Sequence, residues 1–181
     1  PVPNWYPPFE GEMINETEFP MHAVTQRPMA MYHAWGSQNQ WLRQIVGRNW
    51  LYIAHQRAAS LGIKDGDWVT LTSHHGQIRA QAKLMNGVNP DTVWTWNAIG
   101  KRKGAWALNE NAPEAKEGFL LNHLISELLP EREGGYRFSN SDPVTGQAAW
   151  YDLKVKIRKA DDQSAISAPQ FKTLKNLGVK A

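Results

Sequence analysis

The 181-residue chain is 41% hydrophobic and 20% charged, a balance that supports one folded core and excludes a disordered or fibrous polymer. Its net charge of +3 falls short of the concentrated Lys and Arg face of a nucleic-acid binder and suits an anionic small ligand or no charged partner. Cysteine is absent, which excludes disulfides, thiolate metal sites and cysteine nucleophiles within these residues, while nine tryptophans call for apolar grooves lined with N–H donors.

Residues 1–18 carry Pro1, Pro3, Pro7 and Pro8 without periodicity and read as an extended arm or linker pinned by Trp5, Tyr6 and Phe9. The chain opens on Pro1 rather than Met, shows no signal-peptide pattern and no run of eighteen apolar residues, and reads as a segment excised from a longer protein. Residues 19–159 form the predicted domain, and 160–181 a polar tail that Phe171, Leu174 and Leu177 could dock. Within the domain, 19–25 is a first strand. A polar, aromatic loop from 26 to 39 follows, too long for a silent connector. Residues 40–46 make one or two helical turns, 50–54 a short strand and 56–61 a short helix.

The stretch 58–84 is the centre of the pattern. Gly62 stands where a helix end needs positive φ, and Asp65-Gly66-Asp67 supplies a turn. Val69, Leu71 and Ser73 then alternate with Trp68, Thr70 and Thr72; His74-His75-Gly76-Gln77 closes a hairpin with Gly76 expected at positive φ; and Ile78, Ala80, Ala82 and Leu84 return. Further on, 86–91 is a turn, 92–96 a β-branched and aromatic strand, and 97–104 a glycine-bounded basic loop. Phe119, Leu120, Leu124, Leu128 and Leu129 fall at helical spacing, predicting a helix over 117–129 that Pro130 ends. A loop over 132–149 leads to a last strand, 150–157, with Tyr151, Leu153, Val155 and Ile157 on one face. Short strands, brief helices and regularly spaced turns favour a small closed β-barrel over a sandwich.

Three constellations carry chemistry. Thr25-Gln26-Arg27-Pro28 with Tyr32-His33 offers a guanidinium fork, a stacking ring and a tunable imidazole, although Arg27 paired with a carboxylate and His33 satisfied in a loop would explain the same residues. Trp94-Thr95-Trp96-Asn97 ahead of Lys101-Arg102-Lys103 suits a flat heterocycle with a diphosphate, against the plainer alternative of a solvated basic loop. Asn122, within the apolar helical pattern, must be hydrogen-bonded if buried and so holds another loop or reads a ligand edge. His74-His75 lacks a third ligand, and no Ser-His-Asp order, GxSxG, Walker or GxGxxG motif occurs, so neither a metal ligand set nor a catalytic residue is assigned.

Taken in order, Thr25-Gln26-Arg27, Tyr32-His33, the 59–76 stretch, Gly87-Val88-Asn89-Pro90-Asp91, Trp96-Asn97, Gly100, Asn122 and Asp142-Pro143-Val144-Thr145-Gly146 resemble the C-terminal molybdopterin-dinucleotide-binding domain of the dimethyl-sulfoxide-reductase family. The likeness is greatest to large subunits acting on polysulfide, thiosulfate, tetrathionate or sulfite. It implies a mainly β fold, a six-stranded double-psi β-barrel with short peripheral helices, closing over two molybdopterin guanine dinucleotides (Mo-bis-MGD) of a molybdenum oxidoreductase. Residues implied at the cofactor are Thr25, Gln26, Arg27, Pro28, Tyr32, His33, Trp96, Asn97, Lys101 and Asn122. Gln26 departs from the Gly that many members carry there, which puts that backbone contact in doubt.

The resemblance also implies a 4Fe-4S cluster and the metal-ligating side chain in other domains, an inert isolated fragment, partners in the form of a membrane anchor and an iron–sulfur electron-transfer subunit, and no nucleic acid. Membrane association would run through those partners, with cytoplasmic and periplasmic sides both open. The competing readings are a stand-alone barrel that docks proteins through aromatic loops, or one that binds nucleic acid through Lys101-Arg102-Lys103.

Overall fold

The computed structural model describes residues 5, 7–33, 35–36, 39–97, 99, 118–142, 144–148, 152–162 and 170–171. Strands β1 (Met21–Gln26), β2 (Leu51–Ala54), β3 (Trp68–Thr72), β4 (Gly76–Met85), β5 (Thr92–Trp96), β6 (Lys154–Lys159) and β7 (Gln170–Phe171) alternate with short helices α1 (Phe9–Met13), α2 (Gln40–Ile45) and α3 (His55–Ser60). The strand order is β2-β5-β1-β6-β3-β4-β7, and an additional pairing of β2 with β4 closes the first six into a barrel. Closure leaves those six without a free edge. The expected six-stranded barrel with short peripheral helices is therefore present, with parallel pairs β1–β5 and β2–β4 among otherwise antiparallel neighbours. Among the described residues no helix is long and apolar enough to cross a membrane.

Closure depends on the ten-residue β4, which pairs with β3 over Gln77–Gln81 and with β2 over Ala82–Met85. Ala80 and Ala82, both fully buried, leave room for Leu51, Ile53, Val69, Leu71, Val93, Val155 and Ile157 inside a narrow barrel. Gly62 at φ 66 ends α3 and Gly66 at φ 84 makes the turn into β3, as the local sequence requires. Gly76 is not among the glycines at positive φ. The hairpin is closed by Ser73 instead, whose Oγ accepts from the backbone N–H groups of His75 and Gly76 and donates to the Leu124 carbonyl.

Three further expectations are corrected. The predicted helix at 117–129 is, in its described part, a single 3-10 turn, Leu121–Leu124, followed by extended chain that bridges Leu128 to Ser139. Leu121, Leu124 and Leu129 are buried as their spacing demands, but Leu129 N–H donates to Phe138 O and Asn140 N–H to Glu127 O, so non-local partners replace the helical ladder. The arm contains α1, held by buried Glu10 and Ile14, whereas Trp5 is exposed; Tyr6 lies outside the described residues. The last strand begins at Lys154, and Lys154 is buried rather than solvent-facing because its ammonium meets Glu16 Oε1 at 2.9 Å and His22 Nε2 at 3.0 Å.

Strand directions make the barrel two-ended. β1 and β5 run parallel, β2 and β6 run against them, and β3 runs against β6 and β4, so β1, β3 and β5 end where β2, β4 and β6 begin. The turns at 61–67 and 86–91 occupy the other end. Every long connection therefore opens at one pole of the barrel.

Candidate functional site

At that pole the parallel pair β1–β5 ends with Thr25 opposite Thr95 and Gln26 opposite Trp96. The Asn97 N–H donates to the Gln26 carbonyl at 2.8 Å, which carries the ladder one residue further and brings Asn97 beside the loop that leaves β1. In this loop Pro28 is buried and its carbonyl accepts from Met31 N–H at 3.2 Å, turning the chain back. The Arg27 guanidinium then lies 5.6 Å from the Tyr32 ring centroid, and the Tyr32 and His33 rings meet edge to face at 5.2 Å. His33 sits at φ 48, a conformation that disfavours side chains, and its Nδ1 lies 3.4 Å from Asn97 Nδ2. The other end of that amide, Oδ1, is sealed from solvent and accepts no hydrogen bond among the described residues.

Sequence reasoning missed the residue that organises this pole. Asn49 is 2% exposed; its Nδ2 donates to Trp96 O at 2.9 Å and Phe119 O at 3.1 Å, and its Oδ1 accepts from Thr95 Oγ1 at 2.7 Å. One fully used amide thus clamps the end of β5 to the segment at 118–121. An Asn ahead of an apolar strand reads locally as a turn residue, and only the pairing of β2 with β5 shows what it holds. Asn122 rides on the clamped segment but is exposed at the start of the 3-10 turn, not buried in a helical face, and makes no described bond to His33 or Asn97. Lys101 lies outside the described residues.

The tryptophans divide between wall and rim. Tyr52 stacks on Trp94 at 4.0 Å, and Trp96 meets Trp94 edge-on at 4.7 Å, giving a half-buried aromatic ladder that ends beside Asn97. Trp35, 82% exposed, stands with Met29, Tyr32 and Trp41 on the rim. Thr25 and Gln26 also line an open cleft of about 430 Å³ with Val24, Trp94 and turn residues 87–89. The structure therefore brings together Gln26, Arg27, Pro28, Tyr32, His33, Trp96 and Asn97, with Thr25 adjacent and Asn122 tethered through Asn49. Among the described residues no group of three or more His, Asp or Glu could hold a metal ion. Cation, aromatic face and an unfilled amide oxygen form a surface for binding rather than for bond cleavage.

Known proteins agree with that chemistry. Residues 21–141 match the family model described as "Molydopterin dinucleotide binding domain". The large sulfite dehydrogenase polypeptide of Allochromatium vinosum is 51% identical over 98% of this chain and 18% of its own length. ArrA, the molybdopterin-containing component of the arsenate respiratory reductase of a Shewanella species, is 26% identical over 87% of this chain and 18% of its own. The fold matches acetylene hydratase from Pelobacter acetylenicus with a TM-score of 0.54 at 16% identity, covering 80% of this chain and 19% of that one. The chain thus spans less than a fifth of the length of these relatives. It belongs to the molybdopterin dinucleotide binding domain family.

Proposed function

We propose that this chain closes over the molybdopterin guanine dinucleotides of a molybdenum oxidoreductase large subunit that acts on an inorganic sulfur compound. The observation that carries this is the junction of Arg27, Tyr32, His33 and Asn97 at the pole where β1 and β5 end, with Asn97 Oδ1 buried and unfilled. These residues fit the group. A pterin or guanine edge offers N–H donors to an amide oxygen, its ring stacks on aromatic faces, and its diphosphate accepts from a guanidinium. Thr25, Gln26, Pro28, Trp96, Lys101 and Asn122 would complete the contact by the family pattern. When bound, the cofactor supplies a redox-active metal centre. The chain's own residues orient it, shield it from water on one side and neutralise its phosphate charge.

The sulfite dehydrogenase relative, similar along almost the whole chain, supports a sulfur substrate. We further infer that the domain arrangement is 1–18 linker, 19–159 barrel and 160–181 tail, that a 4Fe-4S cluster and the metal-ligating side chain belong to other domains, and that a membrane anchor together with an iron–sulfur subunit completes the enzyme. The isolated fragment would then be inert. The test is metal and pterin analysis of the full-length protein. Arg27→Ala and Asn97→Ala should each lower cofactor content per polypeptide, since loss of a charge-assisted hydrogen bond worth about 1.5–3 kcal/mol weakens binding roughly tenfold or more. Full occupancy in both variants would refute the assignment.

A further inference from the structure

The most deeply buried carboxyl of the described residues is Glu10, 1% exposed, on the short helix α1. Its Oε2 accepts from the backbone N–H of Lys154 at 3.0 Å, at the start of β6, and its Oε1 from Asn140 Nδ2 at 3.4 Å. Asn140 is itself fastened to the strip after the 3-10 turn. Its N–H donates to Glu127 O at 2.7 Å and its Nδ2 to Ser126 O at 3.4 Å. One side chain therefore ties the N-terminal segment to two others, 130 and 144 positions away in sequence.

Among the described residues no cation is paired with this carboxyl. The Lys154 ammonium, the nearest candidate, is directed instead to Glu16 Oε1 at 2.9 Å and His22 Nε2 at 3.0 Å, while Asp152 adds negative charge from the approach to β6. On α1 itself, Glu12 is paired with Arg132 at 3.5 Å. A second observation points the same way: Asn140 Oδ1 is buried and accepts no hydrogen bond among the described residues. The amide that donates to Glu10 thus carries an unfilled acceptor, and a protonated carboxyl has the O–H that an ionised one lacks.

We propose that Glu10 is a proton-operated latch: its carboxylic acid form fastens α1 across the 126–141 strip and the start of β6, and ionisation loosens that fastening. Burial is the main cause that raises its pKa from 4.5 to about 7, with Asp152 adding to it against the Lys154 N–H, the Asn140 amide and the Lys154 charge. The group is an acid whose folded value lies above its unfolded one, so its contribution is complete below about 4.5 and is lost as pH rises through about 7. Because the strip continues from the segment clamped by Asn49, the latch sets how firmly the loops around Asn122 are held. Nothing in the latch depends on the cofactor assignment.

Amide hydrogen exchange on the full-length protein, corrected for intrinsic rates, tests it. Protection of residues 10–14 and 139–141 should fall about tenfold between pH 6 and pH 8, as an ionising group with these two values dictates. Glu10→Gln, which keeps the acceptor and supplies a permanent donor, should flatten that profile while leaving protection at pH 6 in place. His22→Gln and Asp152→Asn should retain the pH-dependent loss. A wild-type profile without the loss, or one that Glu10→Gln leaves unchanged, overturns the proposal. Infrared difference spectroscopy of the wild type gives a reading that needs no variant to fold. A carboxylic acid carbonyl band titrating near neutral pH is expected, and its absence would likewise overturn the latch.

Discussion

Replacing Asn49 by Ala tests whether one buried amide holds the functional pole together. The change removes three hydrogen bonds, to Trp96 O, Phe119 O and from Thr95 Oγ1, in a position that is 2% exposed. A net value of about 1 kcal/mol per bond gives roughly 3 kcal/mol, and the desolvation cost of buried groups left unpaired raises the figure toward about 5 kcal/mol. Against a domain stability on the order of 5–15 kcal/mol this is a large fraction. Urea denaturation followed by tryptophan fluorescence should show a lower midpoint with an unchanged slope, because contacts are lost without a change in the surface exposed on unfolding. Asn49→Asp separates the roles: it keeps an acceptor for Thr95 but loses both donors and buries a charge, so it should be at least as damaging. A loss below about 1 kcal/mol in the Ala variant would refute the clamp and leave the 118–121 segment without its tether to β5.

Other outcomes follow from single residues. Gly62→Ala should cost about 1 kcal/mol although nothing lies within 4 Å of the added carbon, because φ 66 is the left-handed region; an unchanged urea midpoint would contradict it. The Asp67 carboxyl is held below its ordinary value of 3.8 by the Lys159 ammonium and by the Lys64 N–H. Its contribution is therefore present above that value and lost as pH falls through the depressed one, so the stability difference between wild type and Asp67→Asn should shrink on acidification. Reduced metal and pterin content in Arg27→Ala and Asn97→Ala, and the flattened exchange profile of Glu10→Gln, complete the set.

What is legible in the sequence is what near neighbours decide. The 58–84 stretch folds almost as its letters suggest, because Gly62, Gly66 and the alternation of Val69 and Leu71 act over a few residues. Burial is legible too: Leu121, Leu124 and Leu129 lie inside whether or not a helix carries them. Sequence and structure part where distant partners decide the outcome. Lys154 reads as an outward-facing position until Glu16 and His22 give its ammonium partners. Asn49 and Glu10 are ordinary in one dimension, and both derive their importance from bonds spanning between 46 and 144 positions.

The same division explains why the candidate site can be guessed and yet not assembled from sequence. Arg27, Tyr32 and His33 share one loop, so their association is local and readable. Their meeting with Asn97 depends on β1 and β5 being parallel neighbours although three strands separate them in the chain. A parallel pair cannot be joined by a tight hairpin, so its connection must travel, and in this barrel it travels around β2, β3 and β4. The β1–β5 pair ends at the pole where β2, β4 and β6 begin, so Arg27, Asn49, Asn97 and the segment before Asn122 are delivered to one place by strand direction rather than by proximity in sequence. An amide at the root of each connection then fixes its neighbours: Asn49 holds Trp96 and Phe119, and Asn97 meets His33. A binding surface made this way keeps its geometry while loop sequences vary, because its anchor points belong to the barrel.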